Sequence, residues 1–292
     1  MAPNSFFGAG ELNPNMTKEA IERLKAVYGL DKPLFMQYVD WVLNMLKLNF
    51  GISFVTGEDV TKEILKRLPI TLGMNIVALI AVFVLSLFLG IKAALEYEKK
   101  SDYIIRQISL FSFSMPSFYL ALLFIIFFSL KLDLFPIAGV HSIDEKTGLY
   151  YYLDMAWHLT LPVGVMIFVG LGSMIIYIRS LTLEILKSDY YYFALSRNIT
   201  QKNLLRYYIL PNLLPPIVTL LGLSLPGLIG GSVILESIFG IDGMGQLFFM
   251  SALSRDYPII MGTLMITSFL TLLGNMIADI ILLRLNPYMK RG

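Results

Sequence analysis

Residues 68–91 read LPITLGMNIVALIAVFVLSLFLGI, and none of these 24 residues is Asp, Glu, Lys or Arg. An α-helix of about 20 apolar residues crosses the hydrocarbon core of a bilayer. Because the backbone polar groups of a segment in lipid must bond within that segment, such a stretch is expected to be a helix. We therefore expect an all-α integral membrane protein, since four further uncharged stretches of 22 to 29 residues follow: 107–130, 155–178, 207–235 and 257–278.

The composition excludes several other classes of protein. Of the 292 residues, 56% are hydrophobic and 15% are charged, whereas a soluble domain has about 45–50% and about 25%. The net charge of +2 gives no reason to expect a nucleic acid partner. The chain has no cysteine and only two histidines, so we expect no metal site, no cofactor and no catalytic residue.

The charges between the five stretches predict their orientation. The connections 92–106 and 179–206 and the tail 284–292 hold twelve Lys and Arg residues, whereas the alternating connections 131–154 and 236–256 hold three. Cytoplasmic loops carry the excess of Lys and Arg. We therefore place the first group, and with it the C-terminus, in the cytoplasm.

This orientation places the N-terminal segment outside the membrane, although it has eight basic and eight acidic residues and no hydrophobic run. Such a segment is exported behind a signal or anchor helix, so the simplest hypothesis is a first span that lies upstream of Met1 and is missing here. Within the segment we expect short amphipathic helices over Lys18–Tyr28 and 33–48, either at the membrane interface or packed on the extracellular loops. Three regions result: the extracytoplasmic segment 1–67, the transmembrane domain 68–284 and the cytoplasmic tail 285–292.

No motif supplies energy or a catalytic centre. The dipeptide Gly-Lys does not occur, which excludes the GxxxxGK[ST] nucleotide-binding loop. The G-x-S-x-G and H-E-x-x-H motifs are also missing from the sequence. Charged residues are nearly absent from the middle of the spans, where ion-coupled carriers place them. The sequence predicts a passive pathway subunit driven by a partner; a stand-alone secondary carrier is the second alternative, and a scaffold protein the third.

The fourth uncharged stretch is the most irregular, because Pro226, Gly230 and Gly231 fall within six residues. Proline and glycine weaken helices, and broken membrane helices line cavities. We expect a helix break in the transport pathway here, with ordinary close packing of small residues as the alternative. Pro116 and Pro162 are also expected to kink or break their helices.

The cytoplasmic connection 185–206 is the place where a driving partner would bind. Its aromatic residues stand among Lys and Arg residues, a composition typical of protein interfaces. Asn198 is suited to a left-handed backbone conformation between two short helices. The alternative is an interfacial helix that rests on lipid headgroups.

Residues 189–219, DYYYFALSRNITQKNLLRYYILPNLLPPIVT, resemble the EAA-type coupling loop of ABC importer permeases, and more narrowly the B-type permeases of the dipeptide, oligopeptide and nickel family. Asn198 stands where that family has Gly, and Pro211 where an Arg is usual. Residues 18–42 and 230–262 also resemble this family, and the likeness extends over 15–291.

The resemblance implies a multi-helix permease of the type I ABC importer kind, in a bacterial or archaeal cell (inner) membrane, with one more N-terminal helix. It implies a second homologous permease, two cytosolic ABC ATPases and an extracytoplasmic solute-binding protein as partners. The cargo implied is a peptide, or alternatively an oligosaccharide or a nickel chelate. The expected ATPase contacts are Tyr190, Tyr191, Ala194, Asn198, Ile199 and Leu204. The candidates for gating or for docking of the binding protein, with a plain turn as the alternative, are Glu236, Phe239, Asp242 and Gly243.

Overall fold

The computed structural model of the protein describes residues 33–143, 147–230 and 233–285. Three predictions made from the sequence concern residues outside these ranges. They are the helix over Lys18–Tyr28, the contribution of Gly231 to a break in the helix, and the cytoplasmic tail. A helix is present over most of the range 33–48, from Leu34 to Leu46.

The described residues form helices and no β-strand beyond one isolated bridge, between Ile52 and Asp59. Two π-helical segments cover Ile125–Lys131 and Leu205–Ile209, and each directly continues an α-helix. The α-helices are α1 Leu34–Leu46, α2 Val60–Leu95, α3 Lys100–Ser114, α4 Ser117–Phe124, α5 Leu149–Leu186, α6 Asp189–Ser196, α7 Gln201–Leu204, α8 Leu210–Gly230, α9 Val233–Ile238, α10 Met244–Ser254 and α11 Tyr257–Leu285.

Four described segments are long and apolar enough to cross a membrane: Val60–Leu95, Leu149–Leu186, Gln201–Ser224 and Tyr257–Ile281. A fifth candidate is the pair formed by α3 and α4 with its π-helical continuation, which is bent by 106°. Each candidate contains most of one predicted uncharged stretch. The expected all-α membrane architecture is thus confirmed.

Pro116 bends the second stretch, which the sequence predicts as one span over 107–130. Proline lacks a backbone N–H and disfavours the helical conformation of the residue before it. Met115 accordingly has an extended backbone, with φ −85° and ψ 129°, and α4 starts afresh after Pro116. The kink expected at Pro116 is therefore confirmed, but it divides the stretch into two helices.

The other two prolines do not have this effect. Pro162 lies inside the continuous helix α5. The predicted break at Pro226 is also not observed, because α8 runs through this residue to Gly230, the last described residue before Gly231. In membrane proteins, neighbouring groups can satisfy the carbonyl that a proline leaves without its donor, so a helix can continue past the ring.

The chain divides into two compact units, residues 1–67 with 247–266 and residues 68–246 with 267–292. In the smaller unit, the buried carboxylate of Asp256 accepts hydrogen bonds from the Ser53 hydroxyl and from the Phe54 backbone N–H. This carboxylate ties the loop after α1 to the residue that precedes α11.

In the larger unit, α3 and α5 lie very close together. Gly172 of α5 faces the α3 backbone, and a Cβ atom added there would lie 2.6 Å from the Phe113 nitrogen. The Ser112 hydroxyl donates to the carbonyl of Phe168. At the start of α3, Asp102 and Arg179 form a two-pronged ion pair with N–O distances of 2.6 and 2.7 Å. The small residue permits the approach, and the polar contacts fix its register.

Candidate functional site

A helical hairpin occupies the predicted coupling loop. We name residues 189–204 the coupling hairpin; it consists of α6, a tight turn and α7. The turn depends on Asn198, whose φ of +55° is left-handed, as the sequence predicts. The Asn198 N–H donates to the Leu195 carbonyl at 3.0 Å, and the Thr200 carbonyl accepts hydrogen bonds from the N–H groups of Asn203 and Leu204 in α7. Asparagine tolerates this conformation better than other residues with a Cβ.

The inner face of the coupling hairpin is buried against its own chain. Ala194 has 0% of its surface exposed, and Tyr191 and Leu204 are also buried. They join a hydrophobic cluster with Ile178 and Ile185 of α5 and with residues of α8. Burial raises the pKa of the Tyr191 hydroxyl, which therefore stays neutral. The inner face thus anchors the hairpin to the helix that precedes it.

The outer face of the coupling hairpin is exposed and aromatic. Phe193 is 62% exposed and Leu195 is 49% exposed, with Tyr190 and Tyr192 also at the surface. The Arg197 guanidinium lies over the Phe193 ring, 5.5 Å from its centroid. Aromatic residues next to arginine are the usual anchors of protein interfaces. This face has the chemistry of a docking surface.

The structure changes the assignment of the predicted ATPase contacts. Tyr191, Ala194 and Leu204 face inward and leave little surface for a partner, and Ile199 is partly buried against the same cluster. Tyr190 and Asn198 remain exposed. Tyr192, Phe193 and Leu195 belong to the apolar cluster that the sequence marks as interface-like, although they are not among the expected contacts, and all three are exposed. The helical period indicates which residues of α6 face inward together, because positions three apart, such as 191 and 194, share one face of the helix.

We predict that Asn198→Val weakens the hairpin turn by about 1–2 kcal/mol, because a β-branched residue resists positive φ. Limited proteolysis of the purified protein should cut the coupling hairpin faster, and uptake should fall in proportion. Asn203→Val is the matched control, since Asn203 is exposed and lies within the ordinary helix α7. Equal protease resistance in the two variants would contradict the role of the left-handed turn.

A second polar arrangement surrounds Glu236, just beyond the predicted span 207–235. This residue is 1% exposed, and its carboxylate accepts hydrogen bonds from the Gln246 N–H at 2.8 Å and from the Thr71 hydroxyl at 3.2 Å. The same Thr71 oxygen accepts the Met244 N–H at 2.9 Å. The two side chains together satisfy free N–H groups at the start of α10, as helix caps do.

Burial raises the pKa of the Glu236 carboxyl, and the hydrogen bonds from Gln246 and Thr71 act in the opposite direction. Gly243 is required beside this carboxyl, because a Cβ there would lie 2.6 Å from the Thr71 hydroxyl and 2.7 Å from the Glu236 carboxyl carbon. The compact turn therefore depends on Glu236 and Gly243 and on Thr71, which the sequence places far from both.

The structure also divides the predicted gating residues. Glu236, Phe239 and Gly243 are buried and build the turn, and Phe239 packs in a core cluster with residues of α4 and α5. Asp242 is exposed and is the member of this group that a partner can reach. Thr71 is a site residue that sequence reasoning missed, since nothing in a membrane-spanning run singles out one threonine.

Comparison with known proteins identifies the family. A family model described as binding-protein-dependent transport system inner membrane component matches residues 86–291. The oligopeptide transport system permease protein AppB of Bacillus subtilis is 34% identical over 277 residues, which cover 94% of this chain and 87% of AppB.

Two further relatives are similar along nearly the whole chain. The metal-staphylopine import system permease protein CntB of Staphylococcus aureus is 32% identical over 279 residues, 96% of this chain and 85% of CntB. The di/tripeptide transport system permease protein DppB of Pseudomonas aeruginosa is 32% identical over 298 residues, 97% of this chain and 88% of DppB. These relatives are transport subunits and not enzymes, and they confirm the resemblance seen in the sequence. The chain belongs to the family of binding-protein-dependent transport system inner membrane components and is a permease subunit of an ABC importer.

Proposed function

We propose that this permease subunit forms half of the pathway of an ATP-driven peptide importer, and that its coupling hairpin receives the movement of a cytosolic ATPase. The observation that carries the coupling role is the division of the hairpin into a buried inner face and an exposed aromatic outer face. A surface that only rested on lipid headgroups would not require a rigid anchor on its other side.

Movement would pass from the hairpin to α5. Tyr191 and Ala194 share one buried cluster with Ile178 and Ile185, near the end of this 38-residue helix. Close-packed side chains transmit displacement because the interior has little free volume. A partner that shifts the outer face would therefore shift the end of α5 with it. Switching between two states of the pathway then follows the ATPase cycle.

The family implies an ATPase, a solute-binding protein and a second permease as partners. We further propose two ATPases, one for each permease, and an inner or cell membrane location with a cytoplasmic C-terminus. The distribution of Lys and Arg supports this orientation. The binding protein would then meet the segments 1–67, 131–154 and 236–256 on the other side, with Asp242 exposed among them.

Peptides are the proposed cargo because two of the relatives are named as oligopeptide and di/tripeptide permeases. A metal chelate is the second candidate, because CntB is named as part of a metal-staphylopine import system. Exposed aromatic side chains in the bent pair of helices could contact either cargo in the pathway: Phe111, Phe118 and Tyr119.

Cysteine labelling tests the orientation without background, since the chain has no cysteine. Tyr192→Cys should react with a membrane-impermeant maleimide only from the cytoplasmic side, and Tyr150→Cys only from the outside. Both residues are exposed. Labelling of Tyr192→Cys from the outside would contradict the coupling role.

Uptake by the complete transporter in proteoliposomes tests the cargo. ATP and the binding protein should drive accumulation of labelled oligopeptides, whereas metal chelates should not accumulate. Accumulation of a chelate alone would favour the second candidate. ATP-independent exchange of either solute would support a stand-alone carrier and contradict the proposal.

A further inference from the structure

A groove of about 560 Å³ runs beside the coupling hairpin, along the second half of α2. Its volume lies in the range of about 300–1,000 Å³ that is usual for small-molecule sites. The wall on α2 consists of Val84, Leu87, Phe88, Ile91 and Leu95. These positions recur at helical spacing, so they form one apolar stripe on the helix.

The opposite wall belongs to the hairpin and the segment after it. Leu205 and Leu210 extend the apolar lining, and Gln201 closes the groove at the start of α7. The groove therefore lies between a membrane-spanning helix and the element that the ATPase is proposed to move.

One end of the groove is charged. Lys92 and Lys99 line it and are exposed, and neither forms an ion pair with another described residue. Glu96 also lines this end, but its carboxylate accepts a hydrogen bond from the Ser101 hydroxyl. Two free ammonium groups thus stand where the apolar stripe ends, in the connection 92–106 that the charge distribution assigns to the cytoplasm.

We propose that this groove binds one anionic phospholipid of the cytoplasmic leaflet. An acyl chain would lie along the α2 stripe, and the headgroup phosphate would meet Lys92 and Lys99. Apolar lining at membrane depth and basic residues at the headgroup level together match this amphipathic ligand, because lysines near the cytoplasmic surface attract anionic lipids. A soluble anion would use the lysines but not the stripe. The proposal rests on the orientation given under Proposed function.

Photolabelling of the complete transporter tests the site. The transporter is placed in nanodiscs of phosphatidylglycerol and phosphatidylcholine, and each lipid in turn carries a diazirine in its acyl chain. Peptide mapping should find phosphatidylglycerol on residues 84–95. In Lys92→Gln/Lys99→Gln the preference for phosphatidylglycerol over phosphatidylcholine should fall by about 30-fold. Lys62→Gln/Lys66→Gln, at the other end of α2, is the matched control and should keep the preference.

Several outcomes would overturn the lipid site. One is equal labelling of residues 84–95 by the two lipids; another is an unchanged preference in the lysine variant. A third is a crosslink from a photoreactive amino acid at position 88 to the second permease, which would make the groove a subunit interface. ATP-driven uptake is measured on the same samples, so active uptake without lipid labelling rejects this site alone. Lipid labelling without any ATP-driven uptake leaves the site supported and rejects the proposed function.

Discussion

Phe193→Asp/Leu195→Asp is expected to abolish capture of the ATPase and to reduce ATP-driven uptake to background. Both side chains are exposed on the outer face of the coupling hairpin, so the substitutions should cost the fold little. Loss of central interface anchors costs about 2–4 kcal/mol of binding, which weakens binding about 30-fold to 1,000-fold. The measurements are co-purification of the ATPase with the tagged permease and peptide uptake in proteoliposomes.

Tyr150→Asp is the matched control for this variant. It introduces one carboxylate, where the test variant introduces two, at an aromatic residue that is also exposed, in the first turn of α5 on the side assigned to the exterior. ATPase capture should be unchanged in this control. Normal capture by the Phe193→Asp/Leu195→Asp variant would show that the outer face is not the docking surface.

Ala194→Arg separates docking from folding of the hairpin. From the sequence, Ala194 is expected to touch the ATPase directly, but its side chain is fully buried against α5. An arginine there would have to leave the cluster or force it apart. This variant should therefore lose uptake together with protease resistance of the hairpin, whereas the outer-face variant should lose uptake alone.

The membrane architecture could be predicted because it depends on a property that the sequence states directly. A run of apolar residues such as 68–91 has one stable form in lipid, so length and charge were sufficient. The left-handed turn at Asn198 could be predicted for a similar reason, since few residue types accept positive φ. Both inferences concern local chemistry.

The features that could not be predicted depend on contacts between distant residues. Composition marks the hairpin as aromatic, but only its packing on α5 decides that Tyr191 points inward and Phe193 outward. Glu236 has the sequence context of an exposed turn, yet Thr71 and Gln246 hold its carboxylate inside the protein. Pro116 and Pro226 illustrate the same limit, because the first precedes a new helix and the second lies inside a continuous one, although the residue type is the same.

Gly172→Ala and Gly164→Ala, two identical substitutions in α5, are expected to have opposite effects on stability. At Gly172 the new Cβ would lie 2.6 Å from the Phe113 nitrogen and 2.8 Å from the Ser109 carbonyl oxygen. These are backbone atoms of α3 and cannot turn away, so the two helices must separate. At Gly164 the nearest atom is a Phe124 ring carbon at 3.7 Å, an ordinary contact.

The expected cost of Gly172→Ala is at least about 2 kcal/mol, because the helices would also lose the contacts that fix their register. Gly164→Ala should stabilise the protein by about 0.5–1 kcal/mol, since alanine favours a helix over glycine. The stability of both variants is measured by thermal unfolding in detergent, with size-exclusion chromatography as the readout of the folded fraction. Since α5 also anchors the coupling hairpin, Gly172→Ala should lower uptake as well. Asp102→Asn breaks the ion pair with Arg179 and should therefore lower stability and uptake in the same way, but less strongly. Equal stability of the two glycine variants would mean that α3 and α5 do not pack backbone to backbone at Gly172, and that this contact does not hold α5 in place for coupling.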